Sequence, residues 1–320
     1  PYTTALEQMG IEVLYGETYR TSIWDWLEKH GKDIAFAYLN RPHIAVKYID
    51  FIKEHTDIKV LYFGHDLHFL RETREYEITG DEEIKKSADY WRSVELSLMK
   101  KVDMAYYPSY VERDLIHDIN PKIHVKDIPL YVYESFKENL DEKFEEKEGL
   151  LFVGGFGHPP NGDAVIWFVQ EIFPKIRESL KVNFYIVGSK VTDEIKALEQ
   201  PGNGVVVKGF VSDEELEELY RKCRIVVVPL RYGAGIKGKV LEAMYNGAVV
   251  VTTSIGAEGI KDSEKALTVR DDAEEFAQAV VDLYGDPNRC RLISGATQVY
   301  MREHFSLDAV WNCVKDDFKR

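Results

Sequence analysis

Residues 226–248 read VVVPLRYGAGIKGKVLEAMYNGA, and this stretch decides the fold of the second half of the chain. Three valines predict a buried β-strand that ends at Pro229, and a glycine-rich loop then leads into an apolar helix. The loop carries Arg231 and Lys237, and the only acidic residue of the helix is Glu242. A strand, a glycine loop and a helix in this order are typical of a Rossmann-like unit.

The same loop predicts an anion site. Free backbone N–H groups and the positive end of the helix dipole favour a phosphate at a helix start, and two cations would add to them. Glu242 follows Lys237 by five residues, or about 7.5 Å along a helix. A nucleoside diphosphate along this helix would have its ribose hydroxyls near the carboxylate. The alternative is an ordinary α/β connection with Glu242 on a solvated helix face.

The composition describes a globular protein with room for two domains. Of its 320 residues, 45% are hydrophobic and 30% are charged, and the net charge of −14 argues against a nucleic-acid partner. No apolar run reaches the ~20 residues of a membrane span, and no signal peptide is visible. Three scattered cysteines without a CxxC motif favour a reducing compartment and no metal site. We therefore expect a cytoplasmic protein, with peripheral contact at the inner membrane face as an option.

Strand-like and helical patterns alternate along the chain, which predicts an α/β fold of two doubly wound parallel sheets with a cleft at their strand ends. Strand-like runs of the first half are Ile11–Leu14, Ile34–Tyr38, Lys59–Phe63, Met104–Tyr107 and Ile123–Val125, with helices near 22–30, 42–54, 81–101 and 109–117. Those of the second half are Leu150–Val153, Asn183–Val187, Val205–Lys208, Ile225–Val228 and Val249–Thr252. Residues 134–148, ten of them charged, predict a linker between a first domain at 1–133 and a second at 149–304. We expect a C-terminal helix at 305–320, and whether it crosses back to the first domain stays open.

Four motifs stand in one order along the second half: LLFVGGFGHPPNGDAVIWFVQEIFP (150–174), FYIVGS (184–189), VVVKGFVSDEELEELYRKCRIVVVPL (205–230) and RYGAGIKGKVLEAMYNGAVVVTTSIGAEGI (231–260). Together they resemble the nucleotide-sugar-binding domain of family 4 glycosyltransferases, which have the GT-B fold, in the subgroup with a PPN turn. The resemblance implies transfer of a sugar from a nucleoside-diphosphate sugar to an acceptor hydroxyl, with retention and without a metal or other cofactor.

The resemblance also implies roles for residues of the second half. Arg231 and Lys237 would bind the pyrophosphate and act in catalysis, and Glu242 would bind the ribose as the second acid of the family's E-x7-E signature. The first acid of that signature is replaced by Ala234. Sugar recognition would therefore depend on backbone groups of the loop or on other side chains. The remaining donor-site positions are Gly155, Lys208, Gly209, Phe210, Gly233, Gly235 and Ile236.

The first half resembles the acceptor-side domain more loosely. In KVLYFGHDLHFLRE (59–72) a strand is followed by Gly64-His65-Asp66, and His65 matches a histidine that the family holds against the donor sugar. Arg41, Asp66 and Arg71 fall on the same edge because they follow strand ends. The alternatives are ordinary loop residues and, for Asp66, a helix N-cap.

Family members also open with a β-α-β segment that has no counterpart before TALEQMG (4–10), so we expect the first domain to lack these elements. Either another segment of a larger polypeptide, or a second chain, would then cover the first sheet, or the chain is an N-terminally truncated product with compromised catalysis. Three functions stay open: a retaining transferase of surface polysaccharide or glycoconjugate synthesis, with a glycan or lipid-linked acceptor; a GT-B epimerase or phosphorylase; and a non-catalytic binding or assembly module.

Overall fold

The structure, a computed structural model, describes residues 2–136 and 143–319 and contains two parallel β-sheets with helices packed on them. Residues 137–142 of the predicted linker lie outside the described residues. Among the described helices, none is both long enough and apolar enough to cross a membrane.

The first sheet has four parallel strands in the order β1-β2-β3-β4. Its strands are β1 (Phe36–Asn40), β2 (Lys59–Phe63), β3 (Met104–Tyr107) and β4 (Val125–Asp127). Its helices are α1 (Tyr2–Gln8), α2 (Glu17–His30), α3 (Pro42–His55), α4 (His68–Thr79), α5 (Glu82–Met99) and α6 (Tyr110–Ile119). Strand β2 is central and almost wholly buried, so its carboxyl end brings the following turn into the middle of the sheet edge.

Two predictions for the first half are wrong. The run Ile11–Leu14 is not a strand: residues 11–15 have no regular structure and pair with no strand. This run is short and interrupted by Glu12, and without ladder hydrogen bonds its apolar side chains alone do not make a strand. Helix α4 was not predicted, because its sequence HFLRETREYEIT is mostly polar and only Phe69 is buried.

The second sheet has six parallel strands in the order β10-β9-β8-β5-β6-β7. Its strands are β5 (Leu150–Val153), β6 (Phe184–Val187), β7 (Val205–Gly209), β8 (Ile225–Val228), β9 (Val249–Thr252) and β10 (Thr268–Val269). Its helices are α7 (Pro159–Trp167), α8 (Phe173–Ser179), α9 (Asp193–Lys196), α10 (Asp213–Lys222), α11 (Gly238–Tyr245), α12 (Ser254–Ala257), α13 (Ala273–Tyr284) and α14 (Pro287–Phe305).

The strand order of the second sheet reverses between β5 and β8. From β5 the chain runs outward through β6 and β7, returns to β8 on the other side, and continues to β9 and β10. The loops that follow β5 and β8 therefore leave the sheet in opposite directions, and ligands of open α/β sheets bind in the crevice between them. The topology thus places the 154–158 loop and the 229–237 loop side by side.

The last helix, α15 (Leu307–Val314), and the residues after it lie against the first domain. The Tyr106 hydroxyl donates a 2.8 Å hydrogen bond to the carboxylate of Asp317, and the Lys126 ammonium lies 2.7 Å from the same group. Where one domain ends and the next begins stays a prediction.

Candidate active site

Asn161 joins the two loops of the crevice. Its side chain is 3% exposed, and Nδ2 donates a 2.8 Å hydrogen bond to the carbonyl of Gly155 in the loop after β5. Its Oδ1 accepts a hydrogen bond from the ammonium of Lys239 on α11. The two prolines before Asn161 open α7 and supply fixed φ angles for its first turn. The PPN turn therefore fixes the loop after β5 to the first turn of α11, which directly follows the other loop of the crevice.

The loop after β8 presents its backbone N–H groups rather than pairing them. No N–H group of residues 231–239 donates a hydrogen bond to another group of the described chain. Gly233 and Gly235 have φ angles of 138° and 72°, which favour glycine, and α11 begins at Gly238. The Tyr131 hydroxyl lies 2.1 Å from where a Cβ of Gly238 would be, so this helix start is also approached by a phenol. Free backbone N–H groups in a row at a helix start can bind an anion.

Lys239 lies beside this row, and its role was not predicted from the sequence. Its Nζ is 3.2 Å from where a Cβ on Gly154 would be, so the ammonium faces the loop after β5. Burial lowers the pKa of Lys239 to about 7, and the nearby Lys237 cation adds to the effect. The signal was present in the sequence, since Lys239 follows Lys237 by two residues in the same motif.

The two cations predicted to bind pyrophosphate point in different directions. Arg231 pairs with Asp163 of α7 through both carboxylate oxygens, with Nε 2.9 Å from Oδ2. Lys237 donates to the carbonyl of Gly235, and its Nζ lies 3.8 Å from Oε1 of Glu258. Burial lowers the pKa of Lys237, although neighbouring carboxylates oppose the shift. Arg231 therefore borders α7, whereas Lys237 is turned toward Glu258, the carboxylate that pairs with Arg74 of the first domain.

Glu242 is half-buried on α11, and its carboxylate has no hydrogen-bond or ion-pair partner among the described residues. Burial raises its pKa, with a smaller contribution from Asp213. Lys208, Gly209 and Phe210 lie at the end of β7, just before the helix that carries Asp213, and the Phe210 side chain is 82% exposed. An unpartnered, half-buried carboxylate is available for hydroxyl donors.

The opposite wall of the cleft is the turn after β2. A Cβ on Gly64 would lie 2.3 Å from the Tyr107 ring, so only glycine fits there. His65 follows with φ of 68°, an uncommon angle for a residue with a side chain, and its ring centroid is 4.5 Å from that of Phe63. Burial lowers the pKa of His65, and the Arg41 cation lowers it further. The imidazole is therefore neutral at neutral pH.

The other acceptor-side residues surround this turn. Arg41 follows β1 with φ of 63° and is exposed, and Arg71 of α4 pairs with Asp66. Asp66 does not cap α4: the N-cap position is Leu67, and no side chain caps it locally. The strain at Arg41 and His65 is of the kind that clusters at functional sites.

Two further residues connect the walls. His158 stands at the end of the loop after β5, and burial lowers its pKa to about 4, with Lys239 and Arg71 adding to the shift. Arg74 of α4 donates a 2.6 Å hydrogen bond to the Gly233 carbonyl and pairs with the Glu258 carboxylate at 2.6 Å. Neither residue was predicted to act in the site, and only the approach of the two domains identifies them.

Metal ligands are a separate question. Among residues 2–136 and 143–319, no three His, Cys, Asp or Glu side chains are grouped so that they could hold a metal ion.

Residues 147–286, which contain the second-domain wall of the cleft, match the sequence model of the family described as glycosyl transferases group 1. These 140 of the 320 residues are similar in sequence to the group 1 glycosyltransferases. The matched range begins at the end of the predicted linker and covers β5 through α13. It includes every donor-site residue predicted from the sequence, from Gly155 to Glu242.

Solved structures share the two-domain fold of this chain. Sucrose-phosphate synthase from Thermosynechococcus elongatus superposes with a TM-score of 0.72 at 16% identity, over 96% of this chain and 79% of that protein. Anabaena HepE in complex with UDP superposes with a TM-score of 0.70 at 13% identity, over 99% and 88% of the two chains. The two-domain α/β architecture predicted from the sequence is therefore confirmed.

A curated relative matches part of the chain. It is an uncharacterised 44.6 kDa protein encoded in the cps region of Klebsiella pneumoniae, and it is 28% identical over 172 residues. The match covers 52% of this chain and 44% of the relative, so it spans less than half of that protein.

Proposed function

We propose that the chain is a glycosyltransferase that moves a sugar from a nucleoside-diphosphate sugar to an acceptor hydroxyl, with retention at the anomeric carbon. The single observation that carries this proposal is the row of N–H groups at residues 231–239 that donate no hydrogen bond within the described chain, with the Lys239 ammonium beside it. Glu242, without a partner among the described residues, stands on the helix that this row opens. A nucleoside diphosphate requires N–H groups that donate hydrogen bonds to its phosphates at one end of the site. Further along, it requires a carboxylate that accepts hydrogen bonds from its ribose hydroxyls.

The chemistry assigned to these residues is electrostatic. As the sugar–phosphate bond breaks, negative charge develops on the diphosphate, and preorganised N–H groups with Lys239 and Arg231 would stabilise it. Lys237 stays a predicted pyrophosphate ligand. Neutral His65 would face the sugar from the other wall, where it can accept or donate a hydrogen bond without adding positive charge to an oxocarbenium-like centre. The acceptor hydroxyl would then attack on the face from which the diphosphate leaves, and its proton would pass to the departing phosphate oxygen.

The setting is proposed from similarity. A relative encoded in a cps region supports a role in surface polysaccharide synthesis, with a glycan or lipid-linked acceptor near the inner membrane face. A structural neighbour solved with UDP supports a nucleotide-sugar donor, and the proposed reaction needs no metal or other cofactor.

The test is calorimetric titration of the chain with UDP, GDP and dTDP, and with the three nucleosides. We expect one diphosphate to bind and its nucleoside to bind much more weakly. Lys239→Met should reduce the affinity for the diphosphate at least tenfold, a loss of about 1.4 kcal/mol. Lys196→Met is the matched control, because Lys196 is exposed, pairs with Asp193 and lies outside the cleft.

Two results would contradict the proposal. One is the absence of binding by any of the three diphosphates. The other is an equal loss of diphosphate affinity in Lys239→Met and Lys196→Met. Binding of the diphosphate sugar with no transfer and no hydrolysis would instead support a binding module.

A further inference from the structure

Glu112 has an unusual position in the first turn of α6. Ser109 and Glu112 form the S-x-x-E pattern of a capping box, in which the acid normally turns back to the N–H of the N-cap residue. Ser109 does cap the helix, with its hydroxyl accepting from Val111 at 3.1 Å. Glu112 does not complete the capping box. Its Oε1 instead accepts a 2.7 Å hydrogen bond from the N–H of Leu67. The carboxylate therefore holds the segment that directly follows His65 and Asp66.

The second oxygen of Glu112 faces the other domain. The residue is completely buried, and Oε2 has no hydrogen-bond partner among the described residues. A Cβ placed on Gly235 would lie 3.5 Å from each carboxylate oxygen and 3.4 Å from Cβ of Asp66. Lys237, two residues after Gly235, is close enough for its charge to act on Glu112. The carboxylate of Glu112 thus contacts two segments: the turn after β2 at residues 64–67 (the His65 turn) and the loop after β8 at residues 229–237 (the donor loop).

The rest of the α6 start is seated in the same way. A Cβ on Gly259 would lie 3.0 Å from Oγ of Ser109, so the N-cap also packs directly against backbone of the second domain. Gly235 and Gly259 have φ angles of 72° and 83°. The first turn of α6 therefore contacts two glycines of the second domain, one in the donor loop and one after α12. A change in the donor loop at Gly235 must displace Glu112 or be resisted by it.

We propose that Glu112 is a positioning residue that couples the His65 turn to the donor loop, so that the sugar-facing imidazole is set in place by the state of the diphosphate site. This inference rests on the proposed function for its meaning, but the contact itself does not depend on any ligand. Glu112 is not assigned contact with substrate. It acts through Leu67 on one side and through Gly235 on the other.

Glu95 supplies a matched control. It is also completely buried, and it caps the same segment by accepting from the N–H groups of His68 at 3.1 Å and Phe69 at 3.2 Å. Every hydrogen bond that its carboxylate accepts within the described chain comes from the first domain. Glu95 therefore shares the structural role of Glu112 within the first domain but not its contact with Gly235.

Glutamine is the conservative replacement for Glu112. Burial raises the pKa of Glu112 well above its usual range, and the side-chain carbonyl of a glutamine can still accept from the N–H of Leu67. Alanine removes both contacts. Glu112→Gln should thus retain the coupling and Glu112→Ala should lose it.

The experiment records side-chain nitrogen–proton spectra of the histidines in the full chain, with the His65 signal assigned by its loss in His65→Gln. UDP is the first probe. We expect UDP to shift the His65 signal in the wild type, in Glu112→Gln and in Glu95→Gln, and to leave it unshifted in Glu112→Ala. A full UDP-induced shift in Glu112→Ala would overturn the proposal.

A second arm needs no ligand. Gly235→Ala adds a methyl group 3.5 Å from the Glu112 carboxylate. This change should shift the His65 signal by itself and when combined with Glu112→Gln. The shift should be smaller when combined with Glu112→Ala, where only the contact with Cβ of Asp66 remains. Gly202→Ala is the control, since Gly202 has φ of 79° but, among the described residues, no atom outside its chain neighbours lies within 4 Å of its Cβ position. An unmoved His65 signal in Gly235→Ala, or a shift of the same size with and without Glu112→Ala, overturns the positioning role. A shift that Glu112→Ala reduces, with no effect of UDP, supports the positioning role and contradicts the proposed function.

Discussion

The two walls of the cleft are built in different ways. The wall of the second domain is a glycine-rich loop whose N–H groups make no hydrogen bond within the described chain, with an unpartnered carboxylate further along its helix. The wall of the first domain is a turn with uncommon backbone angles at Arg41 and His65. Its N–H groups are already held, because the buried carboxylates of Glu95 and Glu112 accept from residues 67–69.

The two walls therefore differ in how far they can be predicted from a sequence. A site made of backbone needs glycines and a helix start in consecutive positions, and such a site appears as a motif. A turn held by side chains from two other helices leaves no local pattern. Glu95 and Glu112 are distant in sequence from His65, and each has an ordinary local interpretation.

The comparison predicts that the first-domain wall depends most on its buried carboxylates. Glu95→Ala should lower the free energy of unfolding by about 3 kcal/mol, because the N–H groups of half-buried His68 and buried Phe69 lose their acceptor. Urea unfolding measures the change. Glu83→Ala on the same helix is the control and should change stability by less than ~0.5 kcal/mol, since Glu83 is exposed. A loss below about 1 kcal/mol for Glu95→Ala would show that the turn does not need this support.

Substitutions in the second-domain wall should instead change the affinity for ligands. Glu242→Ala should weaken both UDP and uridine by about 2 kcal/mol, or ~30-fold, because hydroxyl hydrogen bonds to a carboxylate are lost. Lys239→Met should weaken UDP much more than uridine. Calorimetry with both ligands separates the two effects. If Glu242→Ala left uridine affinity unchanged, Glu242 would not be the ribose ligand.

Lys239 also predicts a pH dependence that requires no ligand. Its pKa is lowered to about 7 in the folded protein, against about 10.4 in the unfolded chain. Between these values the unfolded state holds the proton more tightly, so the wild type should gain stability as pH rises. Relative to Lys239→Met, we expect a gain of about 1–2 kcal/mol from pH 7 to pH 9 after allowing for the partial exposure of the side chain. Parallel stability curves for the two proteins would contradict the burial of this ammonium.

Arg74 tests the smallest effect, the direct link between the walls. Its guanidinium and the Glu258 carboxylate are 22% and 7% exposed, and they meet at 2.6 Å. A double-mutant cycle with Arg74→Met and Glu258→Gln should give a coupling energy of about 1 kcal/mol in urea unfolding. A cycle with Lys85→Met and Glu82→Gln, an exposed pair on α5, should give a value near zero. Equal coupling in both cycles would mean that the walls are not tied together here.

Most strands were predictable because parallel strands are continuous apolar runs. The predicted bounds of Lys59–Phe63, Met104–Tyr107, Leu150–Val153, Ile225–Val228 and Val249–Thr252 are those of the structure. The strand predicted at Ile11–Leu14 failed because a strand exists only with a partner to bond to, and a short local run does not report one. Helix α4 escaped prediction because its buried face is narrow.

The α/β class, the order of the motifs in the second domain and the glycine-rich loop before α11 could be predicted from residues adjacent along the chain. The position of Lys239 beside the loop after β5, the approach of Lys237 to Glu258 and the contact of Glu112 with Gly235 could not be predicted in this way. A side chain's partner depends on which surface of the fold lies opposite it. For Glu112, that surface comes from residues more than a hundred positions away.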